Sequence, residues 1–208
     1  MRFHIISLFP QSLESYLESS MIKRAQAKKL FSVSLIDPRV FTKDKHHKAD
    51  DKPYGGGPGM VMKAEPLVRA VSKIKVSPKR KVIMLSPRGK QFTQQMARTL
   101  ARYQSVVLIA GHYEGIDARV KKILKAEEVS IGPYTLTGGE LPALIIMDAV
   151  ARYIPGVLGK GESLEERRIT SGEVYTRPEV LLHKGKKYRV PKVLLSGDPK
   201  KIDEYRSH

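Results

Sequence analysis

Three glycine-bearing turns are the part of this sequence best suited to binding a ligand. Apolar runs at residues 82–85, 106–110 and 129–131 are each followed by a break that contains glycine. Because glycine has no Cβ, the main chain at such a turn can approach a ligand closely. Its free N–H and C=O groups can then recognise a flat heterocycle. The alternative is that the turns are tight connections between strands and helices and hold no ligand.

The third turn is the longest and leads into an apolar helix. Residues 130–144 read S-I-G-P-Y-T-L-T-G-G-E-L-P-A-L, which predicts two breaks around a short extended piece at 134–136. Residues 140–153 then predict a helix that is apolar nearly all round, apart from Asp148 and Arg152. A helix of that kind is buried in a core or in a subunit interface.

The order of elements predicts how these turns are positioned. Strand, glycine turn and helix recur three times, which is typical of a parallel α/β sheet. Ligands in such sheets bind at the carboxyl ends of the strands, where all three turns fall. The remaining pattern predicts strands at 3–9 and 31–36, helices at 13–30, 64–74 and 92–100, a hairpin near 180–190, and a short helix after Pro199.

Length and composition limit the class of protein. The chain has 208 residues with 41% hydrophobic content, enough for one core and a small appendage. It has no cysteine, which excludes thiolate catalysis, cysteine-bound zinc and disulfides. No apolar run is long enough to span a bilayer, and the N-terminus lacks the features of a secretory signal. We therefore interpret the protein as cytoplasmic, with no membrane partner.

The charge indicates a polyanionic partner. The formal net charge is +17 and the isoelectric point is near 10.0. Basic residues are spread through the sequence rather than gathered in one block, which favours a folded surface that binds nucleic acid.

A long polar loop at residues 37–59 is the strongest candidate for contact with RNA. Its histidines and aspartates match no metal motif, so no metal site is predicted. Its glycine run does not follow a strand, which argues against a dinucleotide-binding loop. We predict a hinged loop that closes over the substrate and touches phosphates. The predicted RNA-binding residues are Lys43, Lys45, Lys48, Tyr54, Gly55, Pro58 and Gly59.

Ordered motifs along the chain carry a family resemblance. They include I-I-S-L-F-P from Ile5, D-D-K-P-Y-G-G-G-P-G-M from Asp50, L-S-P-R-G from Leu85 and G-H-Y-E-G-I-D from Gly111. The long glycine stretch described above, R-Y-I-P-G-V-L-G, Y-T-R-P-E-V and V-P-K-V-L-L-S-G follow in order. With this set the chain resembles the bacterial tRNA (guanine-N1)-methyltransferases of the TrmD type, in the SPOUT class.

The resemblance implies a fold and an assembly. The fold is α/β, with a mostly parallel sheet, helices on both faces and a deep C-terminal trefoil knot. Residues 1–158 would form the methyltransferase domain, and 159–208 an interdomain loop with a shortened C-terminal segment. Relatives continue into a helical domain that grips tRNA, so we expect a reduced or truncated form here. The resemblance also implies a homodimer with composite active sites.

The resemblance further implies an activity and its cofactor. S-adenosylmethionine would donate a methyl group to N1 of guanosine at tRNA position 37, and the resemblance leaves open whether Mg²⁺ assists. A bulky side chain at Gly139 is expected to block the cofactor by occupying its space. The implied cofactor residues are Leu85, Ser86, Pro87, Gly111, Tyr113, Glu114, Ile131, Gly132, Pro133, Tyr134, Thr135, Leu136, Gly138, Gly139 and Pro142.

The catalytic residues match the family pattern less directly than the cofactor residues do. Arg152 matches a family arginine, although its position also allows an i, i+4 pair with Asp148. The family places an acidic residue in the loop that follows. An ungapped count reaches Arg167, and one gap gives Glu166, so the predicted base is Glu166, with Glu165 and Glu173 as alternatives. His112 stands where many relatives carry arginine.

Two other functions remain open at this point. One is a catalytically impaired RNA-binding protein of the same fold, which the ambiguous base would favour. The other is a methyltransferase that acts on another RNA position.

Overall fold

The computed structural model describes residues 1–75, 77–158 and 173–207. The chain divides into two compact units, Met1–Leu158 and Gly159–His208. The strands of the first unit are β1 Arg2–Ile6, β2 Ser32–Ile36, β3 Asp50–Asp51, β4 Val61–Met62, β5 Arg80–Gln91, β6 Ser105–Ile109 and β7 Glu127–Ser130. Its helices are α1 Glu14–Leu17, α2 Ser20–Ala27, α3 Ala64–Lys73, α4 Gln94–Leu100, α5 Arg119–Leu124 and α6 Glu140–Ala151.

A five-stranded parallel sheet forms the centre of the first unit. Its strand order is β2-β1-β6-β5-β7, and every neighbouring pair is parallel. The carboxyl ends of β5, β6 and β7 therefore meet at one edge, as the repeated strand, turn and helix predict.

Alternating side chains of the strands build a core on each face of the sheet. Phe3 and Ile5 of β1 belong to a buried cluster that includes residues of α1, α2, α4 and α6. Ile6 belongs to a second cluster with residues of α3 and α5. Because successive residues of a strand point to opposite faces, helices cover both faces. The predicted α/β class is confirmed, and the trefoil knot stays a prediction.

Strand β5 differs from the prediction, which ended the strand at Leu85. The strand continues to Gln91, and its register with β7 shifts between Leu85 and Lys90, so that both residues pair with Val129. The intervening Ser-Pro-Arg-Gly segment, 86–89, bulges out of the ladder. A Cβ on Gly89 would lie 2.4 Å from the backbone nitrogen of Val129, so only glycine fits there.

Other boundaries differ by a few residues. The helical region predicted at 13–30 is divided into α1 and α2 by a break at Glu18 and Ser19. The predicted extended piece at 134–136 forms no strand, and its residues are exposed. Helix α6 ends at Ala151, two residues before the predicted end.

The second unit contains a hairpin and two short helices. Strands β8 Val180–His183 and β9 Lys186–Arg189 are antiparallel, which confirms the predicted hairpin. Lys184 and Gly185 both have positive φ, as the tightest two-residue turns require. The helices are α7 Lys192–Leu195 and α8 Pro199–Ser207, the second of which was predicted.

Within the described ranges, no helix combines the length and the apolar character needed to cross a membrane.

Candidate active site

A cavity of ≈ 570 Å³ opens beside the bulge of β5 and the carboxyl ends of β6 and β7. Its volume lies within the range of about 300–1,000 Å³ that is typical of small-molecule sites. The bulge of β5, the turns after β6 and β7, and the first turn of α6 contribute to its wall. The three glycine turns therefore build one site.

Most of the predicted cofactor residues line this cavity. Gly132 and Pro133 are the exceptions. Gly132 donates its N–H to the Ser130 hydroxyl at 3.3 Å and lies against the Tyr134 ring. The residues that do line the cavity are Leu85, Ser86, Pro87, Gly111, Tyr113, Glu114, Ile131, Tyr134, Thr135, Leu136, Gly138, Gly139 and Pro142. Their role in binding stays a prediction.

Sequence reasoning missed several residues of the wall. All of them belong to the same strands and turns, so the rule that ligands bind where strands end could have found them. The missed residues are Met84, Arg88, His112, Gly115, Ile116, Glu128, Val129, Ser130 and Thr137.

The third turn lines the cavity and has backbone amides without hydrogen-bond partners. In the part of the chain that the structure describes, the amide N–H groups of residues 134–138 make no hydrogen bond. Leu85 is buried beneath this cavity, and Ile116 is partly buried beside it. Apolar walls with exposed backbone donors suit a flat heterocycle that carries polar edges.

A buried polar network holds His112, one of the residues that line the cavity. Glu140, in the first turn of α6, accepts a hydrogen bond from the Ser7 hydroxyl at 2.5 Å, and its other oxygen lies 2.6 Å from His112 Nε2. The side chains of His112 and Glu140 are only 14% and 12% exposed. The Ser7 hydroxyl also accepts from the Phe9 amide at 2.8 Å. The network thus ties the second glycine turn to α6 and to the end of β1.

The long polar loop is joined to the cavity wall at one end. The Glu114 amide donates to the Met60 carbonyl at 3.0 Å, and the Met62 amide donates to the Gly115 carbonyl at 2.9 Å. The Glu114 carboxyl group packs so closely on Gly59 that a Cβ there would lie 2.5 Å from it. Of the predicted RNA-binding residues, Gly59 is therefore placed beside the cavity.

The other predicted RNA-binding residues are solvent-exposed. Tyr54 is fully exposed. Lys43 lies 3.7 Å from the Glu65 carboxylate, with both side chains largely in solvent, and such a surface pair contributes little stability. Lys45, Lys48, Gly55 and Pro58 complete the exposed set.

Arg152 lies away from the cavity within one chain. It follows the last residue of α6, whereas the cavity is lined by Gly139 and Pro142 at the other end of that helix. At a rise of about 1.5 Å per residue, roughly 18 Å of helix separates Glu140 from Arg152.

The whole sequence matches one protein family. The family model described as tRNA (Guanine-1)-methyltransferase TrmD matches residues 1–208. The chain belongs to this family.

Curated relatives of the TrmD family are similar over nearly the full chain. A protein named tRNA (guanine-N(1)-)-methyltransferase from Carboxydothermus hydrogenoformans is 48% identical, with 99% of this chain and 81% of the relative covered. One of the same name from Pseudoalteromonas atlantica is 48% identical, covering 98% and 78%. Another, from Clostridioides difficile, is 44% identical, covering 99% and 90%.

Of the three candidate bases of this TrmD family member, Glu173 lies within the described residues. Glu165 and Glu166, like Arg167, lie outside the described residues. Glu173 accepts a hydrogen bond from the Tyr175 hydroxyl. That bond to the carboxylate raises the pKa of Tyr175 to about 12. A carboxylate that already accepts a hydrogen bond is less available to take a proton from the substrate. This contact therefore favours Glu165 and Glu166 over Glu173 as the base.

The residues described contain no group of three or more histidine, aspartate or glutamate side chains placed to hold a metal ion.

Among the acidic residues of the second glycine turn, Asp117 accepts hydrogen bonds from the Arg119 guanidinium. That pairing lowers the pKa of Asp117.

A bulky side chain at Gly139 should destabilise the fold for a reason different from the one expected from the sequence. A Cβ there would lie 2.6 Å from Ala110 Cα and from the Gly111 nitrogen, so it would strike the protein backbone and not the ligand. We expect Gly139→Val to lower the free energy of unfolding by about 2–3 kcal/mol through overpacking. Urea unfolding measures this, with Thr137→Val as the control at an exposed cavity residue. Equal stability of the two variants would contradict the packing argument.

The network of Ser7, Glu140 and His112 predicts a second effect on stability. Glu140→Ala leaves the Ser7 hydroxyl and the His112 ring without their partner, and we expect a loss of about 1–3 kcal/mol in the free energy of unfolding. Glu140→Gln keeps an acceptor for Ser7 and should lose less. Thermal and urea unfolding measure both variants against Glu18→Ala, which removes an exposed carboxylate. If Glu140→Ala matches that control, the network contributes no stability.

Proposed function

We propose that this protein is a tRNA methyltransferase that uses S-adenosylmethionine to methylate N1 of guanosine at tRNA position 37. The observation that carries the proposal is the cavity built by three glycine turns, in a chain that matches the TrmD family over its whole length. We place this activity in the cytoplasm.

The cavity fits the proposed cofactor. Exposed backbone donors at residues 134–138 can meet the edge of adenine, while Leu85 and Ile116 offer apolar contact. Glu114 places a carboxylate at the wall, where it can meet hydroxyl or cationic groups. When bound, S-adenosylmethionine supplies an electrophilic methyl group.

The chain must provide a base and a cation for the reaction. Guanine N1 carries a proton, so it can attack the methyl group only if that proton is removed. A carboxylate within hydrogen-bond reach, which we assign to Glu166 with Glu165 and Glu173 as alternatives, takes the proton. Arg152 stabilises the negative charge that develops on guanine O6.

A homodimer would bring Arg152 to a cavity. Seven of the twelve residues of α6 are buried within the first unit, but Leu141 and Ile145 remain 62% and 46% exposed. These residues and Arg152 are spaced at four and seven positions, so they share one face of the helix. A second chain packed on this apolar face would cover it and meet Arg152 at its end. Each active site would then join the cavity of one chain to Arg152 of the other.

The basic surface and the long loop would hold the RNA. With a net charge of +17, phosphate contacts should dominate affinity. We assign Lys43, Lys45, Lys48 and Tyr54 to that role. Because Gly59 packs against Glu114 of the cavity wall, closure of the loop would be coupled to the shape of the cavity.

Transfer of tritium from labelled S-adenosylmethionine into unmodified tRNA, followed by nucleoside analysis, tests the proposal. Label in 1-methylguanosine at position 37 supports it. Label in another nucleoside would show a methyltransferase for a different position. Binding of tRNA without any label would show a catalytically impaired RNA-binding protein. Repeating the assay with EDTA tests whether Mg²⁺ assists the transfer.

A further inference from the structure

A second, open groove of ≈ 470 Å³ adjoins the cofactor cavity. The two share Arg88 and Glu128, so the groove begins at the rim of the cavity. One wall comes from the bulge of β5, and the other from the end of α5 and the start of β7. The lining residues are Arg88, Gly89, Lys90, Lys121, Lys125, Ala126, Glu127 and Glu128.

The groove is cationic because its two carboxylates are already paired. Glu127 lies 2.6 Å from Lys81 Nζ, and Glu128 lies 2.8 Å from Lys121 Nζ. Within the described ranges, Arg88, Lys90 and Lys125 have no ion-pair partner, and all three are exposed. Three unpaired cations thus remain along the groove.

The end of a helix explains only part of this charge. Lys121 is in the last turn of α5, where a cation is favoured by the helix dipole. Arg88 and Lys90 belong to a different element, the bulged strand β5, and no helix end requires them. Their convergence with Lys125 therefore indicates a shared anionic ligand.

We propose that this groove binds the phosphate backbone of the substrate RNA beside the nucleotide that is methylated. The inference rests on the proposed function, since it uses a polynucleotide substrate whose base enters the adjoining cavity. A base in the cavity places its neighbouring phosphates at the rim, where Arg88 marks the start of the groove. Lys90 and Lys125 then supply point charges to the phosphates, without reading sequence.

The double variant Lys90→Ala/Lys125→Ala tests the groove while leaving the cofactor cavity intact. The matched control is Lys23→Ala/Lys73→Ala, which removes two exposed lysines from α2 and α3 and causes the same change in net charge. Affinity for an unmodified tRNA transcript is measured over a range of salt concentrations. Affinity for S-adenosylmethionine is measured by calorimetry in parallel.

We expect the groove variant to bind tRNA about tenfold more weakly at low salt, and its log–log salt slope to fall by about 1.5–2. Cofactor affinity should not change, and the control should keep most of the wild-type slope. If the groove variant has the affinity and slope of the control, the groove does not hold phosphates. If the groove variant loses cofactor affinity in step with tRNA affinity, the lysines act on the cavity and the inference is also overturned.

Failure of the proposed function gives a different result. A wild-type protein that transfers no methyl group to any tRNA refutes the proposed activity, whatever the salt slope. A wild-type protein that methylates tRNA, together with a groove variant like its control, refutes only the groove.

Discussion

Arg152→Ala is expected to lower kcat for methyl transfer by about two to three orders of magnitude, the usual effect of removing a group that stabilises transition-state charge. Arg152 would oppose the charge that develops on guanine O6, and alanine offers nothing in its place. Single-turnover transfer to tRNA measures the loss. Arg102→Ala, which removes an exposed arginine elsewhere, is the control and should retain activity.

Mixed dimers then test where Arg152 acts. Leu136→Arg puts a long cation into the cavity wall at an exposed turn and should block the cofactor. Because about 15 Å of helix separates Arg152 from Pro142, the nearest α6 residue that lines the cavity of its own chain, a dimer of one Arg152→Ala chain and one Leu136→Arg chain should regain one working site. No recovery in verified mixed dimers would refute the shared site, and full activity of a monomer would remove the need for a partner.

Glu166→Gln is expected to reduce turnover by about two to four orders of magnitude, because glutamine keeps the shape of the side chain but cannot accept the N1 proton. Cofactor affinity should be unchanged, which calorimetry can check. The same substitution at Glu162, four residues earlier in the sequence, serves as the control and should leave turnover near the wild-type value.

The same substitution at the two alternative glutamates shows which of the three is the base. Glu173 already accepts a hydrogen bond from the Tyr175 hydroxyl, so Glu173→Gln should reduce turnover less than Glu166→Gln does. If Glu165→Gln shows the largest loss, the base is one residue earlier. If all three variants remain active, the proton leaves by another path, such as Glu114 or solvent.

Periodicity and turn chemistry were sufficient to predict the sheet and the position of the cavity. The runs that became β5, β6 and β7 are apolar and end in glycine turns, and parallel strands must present those turns at one edge. The hairpin at Lys184 and Gly185 was predicted for a similar local reason. These features depend on short stretches of sequence, which is why they can be predicted.

Features that depend on packing between distant segments could not be predicted. The contact of Ser7 with Glu140 joins residues 133 positions apart, and no local pattern indicates it. The backbone that Gly139 approaches belongs to Ala110 and Gly111, so its tight packing was also hidden. The continuation of β5 past Pro87 was missed because the sequence indicates a turn and gives no sign that β7 pairs again beyond it.

The continuation of β5 past Pro87 affects the free energy of ligand binding at the cavity. Residues 86–89 are held between two stretches of strand that both pair with β7, so their ends are fixed before any ligand arrives. A short loop closed in this way has little conformational freedom left to lose. This wall of the cavity is therefore preorganised, and binding energy gained there appears as affinity instead of being used to order the chain.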